Sequence, residues 1–286
     1  MFEARPDGRT DKRRGRLVGW MGLTTALLVV GSKGEEKPLY NVELLLLESH
    51  PSSIITVGLH IDLAPDWHLY WINPGDAGLA PEVTWKLPPG YEAGPLRFPT
   101  PEKIVHGDIV AYGFKNEVII LCEIRPSGPL TPAESPTIAC RLDWMACRES
   151  CTTGRETAEV SPATQTRADI KRSREILARF TARFPKPPDT ARITIKESGL
   201  AKSENGWRVE ILLSGKDAPR VSDFYPYPLE NFVVAHSRIA ARGEKVVIPL
   251  EPSGSSAALS RIAGLLILDD AAYEVSIPVK PIDHSS

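Results

Sequence analysis

Thr137–Met145 reads TIACRLDWM, with Ile138, Cys140, Leu142 and Trp144 on alternate positions. Side chains two apart on an extended chain share a face, so this stretch predicts a strand with one buried face. Glu117–Ile124 (EVIILCEI) is a second strong strand. Further upstream, Tyr40, Val42, Leu44 and Leu46 alternate with other residues, and Ile54–Ile61 (IITVGLHI) is another run of strand type. Between these runs, residues 65–116 hold Trp67, Tyr70, Trp71, Trp85, Tyr91, Phe98, Tyr112 and Phe114 among many Pro and Gly. That composition predicts short strands and ordered loops rather than disorder.

Downstream the pattern changes period. Residues 166–184 (TRADIKRSREILARFTARF) place Ile170, Ile176, Leu177, Phe180 and Phe184 in a stripe at helical spacing, and Pro185, Pro187 and Pro188 stop the helix. Beyond it, candidate strands at Ala191–Lys196, Trp207–Leu213, Phe232–Ala235, Lys245–Leu250, Gly264–Leu268 and Ala272–Val279 predict a second β region. Phe224–Phe232 (FYPYPLENF) reads as an aromatic, Pro-rich loop, either a binding loop or, preferably, a corner packed between the two β regions. The expected division is 1–37 as signal peptide or N-terminal anchor with a short linker, 38–162 as a β-sandwich, 163–189 as a helical connector, and 190–286 as a second, smaller β-sandwich. The fold class is all-β.

The N-terminus supports export. Lys12, Arg13, Arg14 and Arg16 precede Leu17–Gly31 (LVGWMGLTTALLVVG), an uncharged stretch of fifteen residues. A membrane span needs about 20 residues, so the stretch fits a signal-peptide core better than an anchor. Either reading puts residue 38 onward outside the cytoplasm. A net charge of -2 leaves no basic footprint for nucleic acid. No G-x-S-x-G motif supports a serine hydrolase.

Four cysteines remain: Cys122, Cys140, Cys147 and Cys151. Exported thiols tend to be oxidised. Cys147 and Cys151 form a C-x3-C pattern. Four residues of uninterrupted strand would separate them by roughly 13 Å, too far for a bond that needs Cα atoms about 4.4–6.8 Å apart. If they bond, the chain must therefore turn immediately after a strand ending at Met145, with Thr152, Thr153 and Gly154 leading out. Closing so short a loop yields only about 2 kcal/mol, and short, surface-proximal disulfides are more often labile or catalytic than structural. A turn staple remains an alternative, as does a metal site. His50, His60, His68, His106, His236 and His284 are scattered without zinc-ligand spacing, whereas Cu(I) would accept two thiolates with Met145 nearby. For Cys122 and Cys140, pairing residues 117–126 with 136–145 as a hairpin centred near residue 131 puts the two cysteines opposite one another. They would then be either a cross-strand disulfide or two buried thiols.

Three stretches together resemble a known family: Trp71–Ile104 (WINPGDAGLAPEVTWKLPPGYEAGPLRFPTPEKI), Ala111–Leu121 (AYGFKNEVIIL) and Leu142–Gly154 (LDWMACRESCTTG). They resemble the N-terminal periplasmic domain of the thiol:disulfide interchange protein DsbD, in its ScsB-like branch linked to copper tolerance. The resemblance covers residues 38–160, and residues 161–283 look like the second N-terminal module of that branch. It implies an immunoglobulin-like β-sandwich with catalytic cysteines at Cys147 and Cys151, the second being the exchanging sulfur and the first the resolving one. No organic cofactor is expected, because the cysteines themselves carry the two electrons, and no metal-site residues are assigned. The resemblance implies thioredoxin-fold partners as electron donor and acceptors, among them disulfide isomerases and cytochrome c maturation factors. In the family a cap loop shields the pair. Residues 98–107 (FPTPEKIVHG) hold the matching place, with Phe98, Ile104 and Val105 as cap candidates. Two departures stand out. Thr152 and Thr153 replace the branch's Ile-Pro. The membrane and thioredoxin-like domains of full-length relatives do not follow before Ser286, so the donor is expected to be a separate protein. A copper-binding module and a non-catalytic scaffold with a structural disulfide are the competing readings.

Overall fold

The computed structural model describes residues 38–48, 54–128, 137–188, 194–203, 206–215, 220–253, 258–269 and 271–282. The expected signal segment, residues 1–37, lies outside the described residues, as does the start of the strand expected at Ala191. The first ten strands are β1 (Leu39–Glu48), β2 (Ile55–Leu63), β3 (His68–Gly75), β4 (Glu82–Lys86), β5 (Tyr91–Ala93), β6 (Glu102–His106), β7 (Ile109–Lys115), β8 (Glu117–Pro126), β9 (Ile138–Cys147) and β10 (Cys151–Val160). They form two sheets, ordered β1-β2-β8-β5 and β10-β9-β3-β7-β6, with β4 also pairing β9. The alternation read from the sequence decides which side chains meet between them. Leu44, Val57, Leu59, Ile61, Val118 and Ile120 come from one sheet, and Leu69, Phe114, Ile138, Leu142 and Trp144 from the other. The result is the immunoglobulin-like sandwich expected.

Helix α1 (Arg167–Phe180) begins at a capping box, in which Thr166 Oγ1 accepts the Asp169 N–H at 3.2 Å and Asp169 Oδ2 accepts the Thr166 N–H at 2.9 Å. Its buried face, Ile176 and Phe180, packs on Leu45, Leu47, Ile119 and Leu121. This contact explains why β1 and β8 are apolar on both faces. Around it, Arg172 pairs with Glu43 (2.6 Å) and Arg179 with Glu117 (2.7 Å). His60, 3% exposed, lies between these carboxylates at 3.0 and 3.2 Å.

The second β region holds β11 (Thr194–Ser203), β12 (Gly206–Ser214), β13 (Val221–Pro226), β14 (Phe232–Val234), β15 (Ala240–Arg242), β16 (Lys245–Pro252), β17 (Arg261–Leu268), β18 (Ala271–Pro278) and β19 (Lys280–Pro281). Its sheets run β14-β16-β12-β11-β19 and β13-β17-β18. Val209, Ile211, Ile248, Phe224, Ile262 and Leu266 fill the space between them. The outer face of the smaller sheet packs on the first sandwich. Tyr225 meets Tyr112 with ring centroids 4.6 Å apart, and Tyr227 meets Trp71 at 5.4 Å. Asn73 donates to the Pro226 carbonyl at 2.8 Å, and Lys103 pairs with Asp223 at 2.8 Å. The aromatic stretch from Phe224 is thus a packed corner, although its first residues are strand rather than loop.

The hairpin expected between residues 117–126 and 136–145 is not formed. β8 and β9 belong to opposite sheets, so the chain between them crosses from one layer to the other. Cys122 and Cys140 face one core from its two sides as free, buried thiols. The cross-strand disulfide is replaced by the second of the two readings.

Candidate functional site

The turn that joins Cys147 to Cys151 is a β-hairpin. β9 continues two residues past Met145, residues 148–150 reverse the chain, and β10 returns antiparallel. Cys147 and Cys151 are register partners and are bonded, with Cα atoms 4.1 Å apart. Thr152, Thr153 and Gly154 lie in the returning strand rather than in an exit loop. The spacing of 13 Å holds for a continuous strand, and a three-residue reversal removes it. The Arg148 N–H closes the loop on the Ser150 carbonyl at 3.1 Å, and the Arg148 guanidinium lies 5.2 Å from the Trp67 ring centre.

The two sulfurs sit in different surroundings. Cys147 is on a strand flanked by neighbours on both sides, β10 on one and His68 of β3 on the other, and is 3% exposed. Cys151 is on the outermost strand and is exposed. Around Cys147 lie Tyr70 and Ala111, with Ile104 and Met145 packed against them. The Tyr70 hydroxyl donates to Cys147 Sγ at 3.0 Å. Burial holds the Tyr70 hydroxyl above its usual pKa, so it remains a donor at neutral pH. His68 meets Tyr70 edge-on at 5.1 Å. Burial, helped by the Lys115 charge, holds its imidazole below the usual range and hence neutral.

The cap candidates divide. Ile104 packs beside the disulfide. Its neighbour Val105 points to the other side of the strand, as alternate residues must, and is 61% exposed. Phe98 precedes the strand and is a core residue, stacked on Phe114 at 6.3 Å. Tyr70 was visible in the sequence only as one aromatic among many. Its approach to Cys147 depends on β3 lying between β7 and β9, which no local pattern reports.

Two other features are separate from this site. A cleft of about 350 Å3 lies where the sandwiches and the segment after α1 meet, lined by Trp71, Phe98, Phe184 and Tyr227 among others, and none of its lining residues belongs to the β9–β10 hairpin. His60, Asp62 and Glu117 bring potential metal-ligand atoms within 4.8 Å of one another. Arg179 already engages Glu117, which makes the cluster part of the seat of α1.

Residues 42–161 match the family described as thiol:disulfide interchange protein DsbD, N-terminal. In structure, the chain is similar to the N-terminal periplasmic domain of ScsB from Proteus mirabilis, with a TM-score of 0.63 and 16% identity, over 84% of this chain and 92% of that one. At that identity the likeness is one of fold. The curated proteins contain no match to this sequence. Among the described residues no helix is long and apolar enough to cross a membrane.

Proposed function

We propose that this chain, whose residues 42–161 form a domain of the DsbD N-terminal family, is a periplasmic thiol–disulfide exchange protein that relays electrons from a thioredoxin-like donor to other thioredoxin-fold proteins. The observation that carries the proposal is the asymmetry of the disulfide: one cysteine exposed on an edge strand, the other buried under a tyrosine hydroxyl. Exchange proceeds by attack of a thiolate on one sulfur and departure of the other. Only Cys151 offers its sulfur to an incoming thiolate. Attack there forms a mixed disulfide and expels Cys147 as a thiolate, and the Tyr70 hydroxyl, already at 3.0 Å, donates to the charge that develops. The donor's second thiol then attacks its own sulfur in the mixed disulfide. The donor leaves oxidised, and Cys147 and Cys151 keep two electrons and two protons as thiols. The reverse sequence reduces the acceptor. The periplasmic neighbour in structure and the apolar segment after Arg16 support the location.

Mixed-disulfide trapping tests the assignment. Cys147→Ser leaves an exposed thiol at Cys151 with nothing to resolve it. Expressed in a periplasm, it is expected to accumulate covalent adducts with thioredoxin-fold proteins that reductant releases. Cys151→Ser, whose remaining thiol is buried, is expected to accumulate few. Equal yields from the two variants, or none from either, contradict the assignment.

A further inference from the structure

β6 is the outermost strand of its sheet and pairs only with β7 among the described residues. Its two faces meet different parts of the molecule, because alternate residues of a strand point opposite ways. On one face Ile104 packs with its register partner Ala111 and with Tyr70 around Cys147. On the other face Lys103 and its register partner Tyr112 reach the second β region. Lys103 Nζ lies 2.8 Å from Asp223 Oδ2, and the Tyr112 and Tyr225 ring centroids are 4.6 Å apart. Asp223 and Tyr225 alternate along β13 and so share a face. Two neighbouring residues of the first sandwich are thus matched to two neighbouring positions of the second.

The contact is built to hold position. Asp223 Oδ1 accepts the Phe224 N–H at 2.8 Å, which fixes the carboxylate whose other oxygen meets Lys103. Both members of the ion pair are partly buried, with 25% and 18% of their side chains exposed. Tyr112 is fully buried, and His236, just after β14, closes on it edge-on at 5.4 Å. The aromatic contacts fix β7, and the ion pair fixes β6. Because β6 lacks a strand on its outer side, the Lys103–Asp223 pair does what a neighbouring strand would do.

We propose that Lys103 and Asp223 are positioning residues for the redox site: their ion pair pins β6 and so holds Ile104 against Cys147. Incoming thiolates are thereby kept off Cys147 and directed to Cys151. The second β region is then part of the redox device, because it sets the wall beside the buried sulfur. The inference rests on the redox reading above and deepens it.

The test uses the full chain, reduced with dithiothreitol, freed of it and alkylated for timed intervals, with each cysteine followed by mass spectrometry. Lys103→Met keeps the apolar stem and drops the charge. Asp223→Asn drops the charge from the other side and keeps an acceptor for the Phe224 N–H. In each, alkylation of Cys147 relative to Cys151 is expected to rise roughly two- to fivefold, as much as an ion pair of this exposure can be worth. Lys103→Arg, which keeps the pair, should match wild type. Ile104→Ala should raise the ratio by itself, and Lys103→Met should add nothing in that background, since residues that act through one another are not additive. An unchanged ratio in both charge-removing variants, or an effect of Lys103→Met that persists in Ile104→Ala, overturns the positioning role while leaving the redox reading intact. Resistance of the wild-type disulfide to dithiothreitol in the folded protein overturns both.

Discussion

The same residue type does two different things in this molecule. Cys122 and Cys140 point into the first sandwich from opposite sheets, and burial pushes both thiols up to about 11. Cys147 and Cys151 sit at the tip of a hairpin, bonded to one another, with Cys151 exposed. Strand alternation produces the difference. Cys140 shares the inward face of β9 with Leu142 and Trp144, whereas Cys147, an odd number of residues further on, faces out. Placement on a strand, rather than the number of cysteines, separates a buried apolar filler from a bonded pair with one exposed member.

The sharpest way to break that comparison is to exchange the roles. Cys151→Ser should abolish thiol exchange to background while leaving the sandwich folded, as read by turnover against a disulfide substrate and by thermal melting. Cys122→Ser and Cys140→Ser should do the reverse. Each puts a hydroxyl in an apolar core at a cost of about 1–3 kcal/mol, visible as a lower denaturation midpoint, with exchange retained. Tyr70→Phe separates the two sulfurs of the active pair. It removes the donor to Cys147, and a hydrogen bond to a charged group is worth about 1.5–3 kcal/mol. Stopped-flow reduction is therefore expected to slow about tenfold, with little change in stability. A rate equal to wild type would show that the hydroxyl does not serve the leaving sulfur.

The smallest effect concerns the seat of α1. Hydrogen bonding from Arg179 holds the Glu117 carboxyl below its ordinary value of 4.5. The folded pKa is depressed, so the stabilisation is present above that value and is lost as pH falls through the folded one. The pair is partly solvated, which limits it to about 1 kcal/mol or less. Arg179→Ala should melt slightly earlier at pH 7. The gap to wild type should narrow below about pH 4.5, measured by thermal unfolding across pH.

The contrast also shows what the sequence could and could not reveal. β9 is legible because its apolar residues alternate, β2 and β8 because they are continuous apolar runs, and α1 because its stripe has helical period and prolines behind it. β10 (CTTGRETAEV) is an edge strand whose odd positions face solvent. It carries no apolar run, so the returning strand leaves no signal in the sequence. The partners of Cys122 depend on which sheet a strand joins, a long-range matter that the connection between β8 and β9 does not encode. The disulfide is legible as a spaced pair, Cys147 and Cys151. The Tyr70 hydroxyl beside it and the burial of Cys147 come from β3 lying between β7 and β9.

The reduction potential of the Cys147–Cys151 bond tests the central claim most directly, with the chain equilibrated in graded dithiol–disulfide buffers and alkylated thiols counted by mass spectrometry. The account predicts that these two cysteines change together at a potential above about -300 mV, the region below which structural disulfides fall, while Cys122 and Cys140 stay unmodified in the folded protein. A pair locked well below that limit, or core thiols that react alongside it, would contradict the account.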